Sequence, residues 1–202
     1  MATTPNNEQS DKRGDLLKAA RELFLKNAYN NISIRKIAER ANVNSALIAY
    51  YFGSKSGLFR EMVRSYIADI LGRLQDNLTV PSESSLENLF LNLYRNIPSE
   101  FVQLIFRTMV FERGEMREWL LHNFVQQALD TVDQYFDQMI DVSDRDERTD
   151  VVRTIFQSML VGPKLLLPTL QEIGAVTLDD NFYQDLARFN AKLLAQYFNL
   201  EK

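Results

Sequence analysis

Apolar residues recur along this chain at helical spacing, and the most informative instance is short. Ile34, Ile37, Ala38 and Ala41 stand at i, i+3, i+4 and i+7, which puts them on one face, while Arg35, Lys36, Glu39 and Arg40 lie elsewhere around the helix. A second stretch, Ser45 to Phe52, turns Ile48, Tyr51 and Phe52 inward with Val43 from the preceding turn, and leaves Ser45, Ala46, Leu47 and Tyr50 facing out. The link between the two needs a residue in the left-handed region. Asn42 tolerates that conformation better than any residue except glycine, and the Asn44 side chain can then cap the second helix. Residues 33–52 are thus predicted to be two helices crossed at a tight turn. A buttressing helix is predicted from about Asp11 to Lys26, with Leu16, Ala19, Ala20, Leu23 and Phe24 inward. Ser54 caps a longer one that reaches about Leu78, with Leu58, Met62, Tyr66, Ile67 and Leu71 along its stripe.

The rest of the pattern is helical too. Residues 1–10 are small, polar and proline-containing, and read as a disordered arm. Past a break at Thr79-Val80-Pro81-Ser82, Ser85 to Ile97 is amphipathic, and Pro98 suits the first turn of the next helix. That helix, Ser99 to Glu112, is apolar on most sides and is expected to be buried; Gly114 ends it. A long helix over Glu115 to Ile140, a polar turn over Asp141 to Asp146 and a helix from Arg148 interrupted at Gly162-Pro163 follow. An apolar continuation over Leu165 to Ile173 and a last helix over Asp180 to Asn199 complete an all-α chain without strand pattern or internal repeat.

A crossed helix pair of this kind suits the major groove of DNA, which is about 12 Å wide and admits the second helix N-terminus first. The start of the Ser33 helix presents amides and a hydroxyl to phosphate. Ser45 can pair with several bases, whereas Ala46 and Leu47 can touch only apolar surface such as a thymine methyl; Arg35 suits phosphate or a base edge, and Tyr50 the backbone or groove. With no bidentate reader among them, part of the specificity is expected from DNA shape or from an arm such as Lys12-Arg13 in the minor groove. The net charge of −4 opposes a DNA ligand only until it is mapped. Residues 1–65 hold eleven Lys and Arg against six Asp and Glu, a balance of +5, and residues 66–202 hold twelve against twenty-one, a balance of −9.

At these residues the chain resembles the TetR family of bacterial transcription regulators. Ile37-Ala38, Val43, Tyr51-Phe52 and Ser54-Lys55 match that family's signature in register, over roughly residues 12 to 64. Three positions depart from it: Asn42 replaces the usual turn glycine, Asn44 a common capping serine, and Ala49 a tyrosine that often contacts phosphate, a contact either lost here or taken over by Tyr50 or Tyr51. The resemblance implies a phosphate contact by Lys55 and a DNA-contacting set of Ser33, Arg35, Asn44, Ser45, Ala46, Leu47, Tyr50, Tyr51 and Lys55. It also implies an N-terminal three-helix helix-turn-helix DNA-binding domain over residues 11–70 and a C-terminal helical effector-binding and dimerisation domain over 71–202. The Ser54 to Leu78 helix joins the two. A homodimer is expected to read an inverted-repeat operator, since one short helix contacts too few bases, and to meet through the last two long helices at Val152, Ile155, Met159, Leu186, Phe189, Leu193 and Tyr197. A small-molecule effector, bound near Phe101, Arg107, Phe111, Trp119, His122 and Phe156, is expected to release the DNA, with repression as the default outcome.

Enzyme chemistry finds little support. Gly53-Ser54-Lys55-Ser56-Gly57 lacks the spacing and preceding strand of a phosphate loop, and Asp141 to Asp150 lacks the glycine and closing glutamate of a calcium loop. One histidine and no cysteine make a zinc site or a histidine-based triad improbable, and no cofactor or metal is expected. The polar N-terminus lacks a secretory core and no apolar run approaches the ~20 residues of a membrane span, so a cytoplasmic protein is expected. The competing class is a helical protein-interaction module without specific DNA binding, for which the basic helix pair would be superfluous.

Overall fold

The computed structural model describes residues 5–77, 79–140 and 149–200. Among them it is all helix, without strands: α1 Pro5–Lys26, α2 Ile34–Ala41, α3 Ala46–Phe52, α4 Lys55–Asn77, α5 Glu83–Asn96, α6 Ser99–Phe111, α7 Glu115–Leu120, α8 Gln126–Asp137, α9 Thr149–Glu172 and α10 Asp180–Phe198. A 3-10 turn, Tyr29–Asn31, links α1 to α2, and a π-helical turn, Leu121–Val125, runs between α7 and α8. The polar turn expected over residues 141–146 lies outside the described residues, as does the start of the expected arm. From Pro5 onward that arm is helix rather than disordered chain; proline fits a first helical turn because its missing amide would have no partner there.

Two compact units divide the chain, and they do not follow the boundary expected at residue 70 alone. One comprises Met1–Asp69 with Leu104–Glu118, the other Ile70–Gln103 with Trp119–Lys202. In the first unit Leu16, Ala19, Ala20 and Phe24 of α1 are buried with Ile37, Ala38, Ile48, Leu58 and Met62, as their spacing predicts, and Phe59, Val63, Leu104, Ile105 and Met116 join them. Phe24 and Tyr29 each meet the Phe59 ring edge-on, with centroids 4.9 and 5.1 Å apart. α2 ends because Asn42 adopts φ 54°, ψ 43°, the left-handed state expected of it, and its amide donates back to the Ala38 and Glu39 carbonyls. α3 ends at Gly53, and α4 starts so close behind it that a Cβ on Gly57 would overlap the Phe52 carbonyl oxygen. Ile34, at the exposed start of α2, does not share the burial of its stripe. Nor is α6 buried all round: Phe106, Val110 and Phe111 are exposed.

The second unit is built on α5, which packs chiefly against α10 and also against α9. Its centre is aromatic, with Phe156 of α9 within 6.4 Å of the Phe90, Tyr135 and Phe136 rings. Arg153 ties α9 to α8 by a 2.9 Å bond to Asp137 and lies over the Phe136 ring. The interruption expected at Gly162-Pro163 does not occur: α9 runs through both Pro163 and Pro168. Pro163 lacks the amide that would bond the Met159 carbonyl one turn earlier, and the buried Tyr94 hydroxyl of α5 donates to that carbonyl instead, at 2.7 Å. Asn190 of α10 donates to the same hydroxyl at 2.8 Å. The backbone carbonyl of the same Tyr94, in the last turn of α5, would bond the residue four positions on, which is Pro98, and it takes the buried Lys164 ammonium in place of an amide. The long helix expected over residues 115–140 is resolved into α7, the π turn and α8. No helix among the described residues is long and apolar enough to cross a membrane, and none of these residues form a group of three or more His, Cys, Asp or Glu that could hold a metal ion.

Candidate nucleic-acid interface

The sequence nominates the outer face of α2 and α3, and the first unit builds it as follows. Ser33 ends an extended connector and opens α2, its Oγ accepting the Lys36 amide at 3.1 Å. Arg35 is exposed and its Nε donates to Glu39 Oε1 at 2.7 Å; that hydrogen bond, then the carboxylate charge, raises the guanidinium pKa further. Such a solvated pair is worth little, so Arg35 can exchange Glu39 for phosphate at small cost. At the turn, Asn44 Oδ1 accepts the Ala46 amide at 2.8 Å, the capping role foreseen for it, although Ser45 is the residue preceding the helix proper. Asn44, Ser45, Ala46, Ala49 and Tyr50 are exposed, Leu47 is half-buried and Ile48 fully buried, so α3 turns outward an uncharged face of small residues with one large side chain, Tyr50. Tyr50 is 71% exposed and meets the half-buried Tyr51 edge-on, with centroids 4.9 Å apart. Arg13, expected in a minor-groove arm, lies in α1 with its guanidinium on Glu61 at 2.7 Å and over the Phe52 ring.

Lys55 departs furthest from its expected role. Its ammonium points inward, donating to the carbonyls of Ile32 at 2.9 Å and Tyr29 at 3.1 Å, and sits 4.1 Å from the Tyr29 ring centroid. Burial pushes its pKa down, and the nearby Glu112 carboxylate partly restores it. Burial likewise pushes the Tyr29 phenol up, a shift that Arg60 opposes and Glu115 and Glu112 reinforce. The same connector is held from the other segment of this unit, where the buried Glu112 accepts from the Asn30 side chain. Arg107 Nη2 donates to the Phe24 and Asn27 carbonyls at the end of α1, at 3.2 and 3.0 Å, and Arg60 pairs with Glu115. Sequence periodicity could not have found these supports, because Asn30 and Glu112 are 82 positions apart.

The six residues expected around an effector are not brought together. Arg107 and Phe111 belong to the first unit, the former bonded to α1 and the latter 75% exposed. In the second unit Phe156 is fully buried among aromatic rings, Phe101 packs against Phe124 at 5.9 Å, Trp119 is half-buried and His122 exposed. The residues expected to dimerise divide differently. Ile155, Phe189, Leu193 and Tyr197 are exposed along α9 and α10, while Val152, Met159 and Leu186 are half-buried.

Residues 16–62 match the family described as bacterial regulatory proteins, tetR family. Over 108 residues the chain is 27% identical to the HTH-type transcriptional repressor KstR2 of Mycolicibacterium smegmatis, covering 52% of either chain. Over 109 residues it is 26% identical to the probable HTH-type transcriptional regulator YttP of Bacillus subtilis, covering 51% of this chain and 53% of that one. It therefore spans about half the length of the curated relatives it matches. Among solved structures, its fold resembles a transcriptional regulator of Aquifex aeolicus VF5, with a TM-score of 0.64 at 18% identity over 91% of this chain and 99% of that one. It also resembles AibR, solved in complex with isovaleryl coenzyme A and operator DNA, with a TM-score of 0.65 at 17% identity over 94% and 99%. Residues 16–62, with the helix pair they contain, thus liken the chain to the bacterial regulatory proteins of the tetR family.

Proposed function

We propose that the chain is a sequence-specific DNA-binding regulator of transcription, not an enzyme, and that it acts as a homodimer on an inverted-repeat operator in the cytoplasm. The observation that carries this reading is the exposed face of α3, with Ser45, Ala46 and Tyr50 outward of the buried Ile48, set beside the opening of α2 at Ser33. Arg35, Asn44, Leu47 and Tyr51 complete the proposed contact set. Ser45 reads base edges, Ala46 and Leu47 take apolar surface, and Ser33 and Tyr50 hold backbone, Tyr50 standing in for the tyrosine absent at Ala49. The exposed apolar side chains of α9 and α10 support a second copy as partner.

Repression relieved by a small molecule is the proposed mode of control, with the effector in the second unit. Phe101, Trp119, His122 and Phe156 remain candidates there, whereas Arg107 and Phe111 leave the set because they belong to the first unit. The effector acts only by preferring one separation of the two DNA-binding heads, and α4, which passes from Asp69 of one unit to Ile70 of the other, is the proposed carrier of that shift. Selection of bound duplexes from a random library at two salt concentrations tests the core of the proposal. An enriched inverted repeat is the expected result. Salt-sensitive binding without enrichment would instead favour the helical interaction module.

A further inference from the structure

The first residue of α4, Lys55, turns its ammonium inward, and its bonding answers a different need from phosphate recognition. Two of the three ammonium protons of Lys55 go to the carbonyls of Tyr29 and Ile32, and the Tyr29 ring lies against the same nitrogen. Those carbonyls belong to the connector immediately before Ser33, the residue that opens α2. Glu112 holds the intervening Asn30 and places a compensating negative charge near the ammonium. Reaching outward to phosphate would strip both carbonyls of their donor and draw the ammonium away from Glu112.

We propose that Lys55 is a positioning residue of the DNA interface rather than one of its phosphate ligands: by fixing the Tyr29 and Ile32 carbonyls, it sets where α2 begins and hence where Ser33 and Arg35 meet the DNA. The proposal rests on the DNA-binding reading, and two measurements separate the failure of one from the failure of the other. Operator binding is measured at a series of salt concentrations for the full chain and for Lys55→Met, which keeps the stem, and Lys55→Gln, which keeps a neutral donor. Both variants are expected to weaken binding, Met by roughly tenfold, the equivalent of one to two hydrogen bonds, while the dependence of log K on log salt keeps the slope of the unmodified chain. Loss of a phosphate contact would instead make that slope shallower by about one, and would overturn the proposal.

The second measurement is amide hydrogen exchange without DNA. Protection of the Lys36 and Ile37 amides, which bond back to Ser33, is expected to fall in both variants while that of Val63 in the middle of α4 is kept. This pattern also distinguishes a displaced α2 from a chain that has simply lost stability. Unchanged exchange at Lys36 and Ile37 would overturn the placement of α2 by Lys55, whether or not DNA is bound. Failure of the unmodified chain to bind any operator would overturn the functional reading and, with it, the role of Lys55 in an interface.

Discussion

Asn42 is the residue on which the angle between α2 and α3 turns. Its φ of 54° is one that most side chains adopt only at a cost of roughly 1–2 kcal/mol, which asparagine lessens through its short polar side chain. Replacing it by glycine, the more usual residue at this turn, is expected to shift unfolding free energy by less than about 1 kcal/mol, because relief at φ and the entropy of a freer unfolded chain oppose each other. Asn42→Val is expected to cost about 2 kcal/mol, since a β-branched residue fits that region worst. Urea unfolding of the two variants checks both values. A valine variant as stable as the original would mean that the turn relaxes out of the left-handed state, and that the crossing angle rests on packing around Ile37 and Ile48 instead.

At the scale of elements, the passage of α9 through Pro163 is a supply problem solved from a different helix. The Tyr94 hydroxyl gives Met159 the hydrogen bond that the proline withholds and receives one from Asn190. Its burial holds the phenol well above its ordinary pKa, so it remains a donor through the physiological range. Tyr94→Phe is expected to destabilise the fold by about 2 kcal/mol, because a buried carbonyl and a buried amide both lose their partner. In a Pro163→Ala background, where the helix amide can serve Met159, the same change is expected to cost measurably less, and a double-mutant cycle by chemical denaturation reads the difference. Equal costs in both backgrounds would show that the hydroxyl matters to Asn190 and not to the proline.

The same case explains what the sequence could and could not reveal about these elements. Burial of Leu16, Ala20, Ile37, Ile48 and Leu58 was legible because it depends only on the period of each helix. The turn at Asn42 and the caps at Ser33 and Asn44 were legible because they are satisfied within a few residues. The continuity of α9 was not, since its missing donor comes from a tyrosine 65 positions away. Likewise Lys55 reads as an outward cation until the carbonyls of Tyr29 and Ile32, at 26 and 23 positions' distance, are brought to it. That Arg107 and Phe111 stand apart from the other proposed effector residues was hidden for a related reason: composition marks a helix as packed but does not say against what, and Arg107 serves the end of α1.

For the whole molecule, charge and apolar surface point to different partners. The chain concentrates its positive balance, +5, in residues 1–65 and carries −9 over residues 66–202, so the part proposed to associate with a second copy is the part whose net charge opposes association. The proposed contact escapes that penalty by being apolar: Phe189 and Leu193 on α10 are 67% and 45% exposed and stand one turn apart, in line with Tyr197. Phe189→Asp combined with Leu193→Asp would place two carboxylates at that stripe without touching the buried Ala187, Asn190, Ala191 and Leu194 of the same helix. The doubly substituted chain is expected to keep its helical circular dichroism, to run as a monomer in light scattering at micromolar concentration, and to bind an inverted-repeat operator at least about a hundredfold more weakly than the original. Half-site binding should be unchanged, since each head would still be intact. A variant that remains dimeric would move the association surface away from α10, whereas a monomer with undiminished operator affinity would mean that one head suffices and that the inverted repeat is not read by a preformed pair.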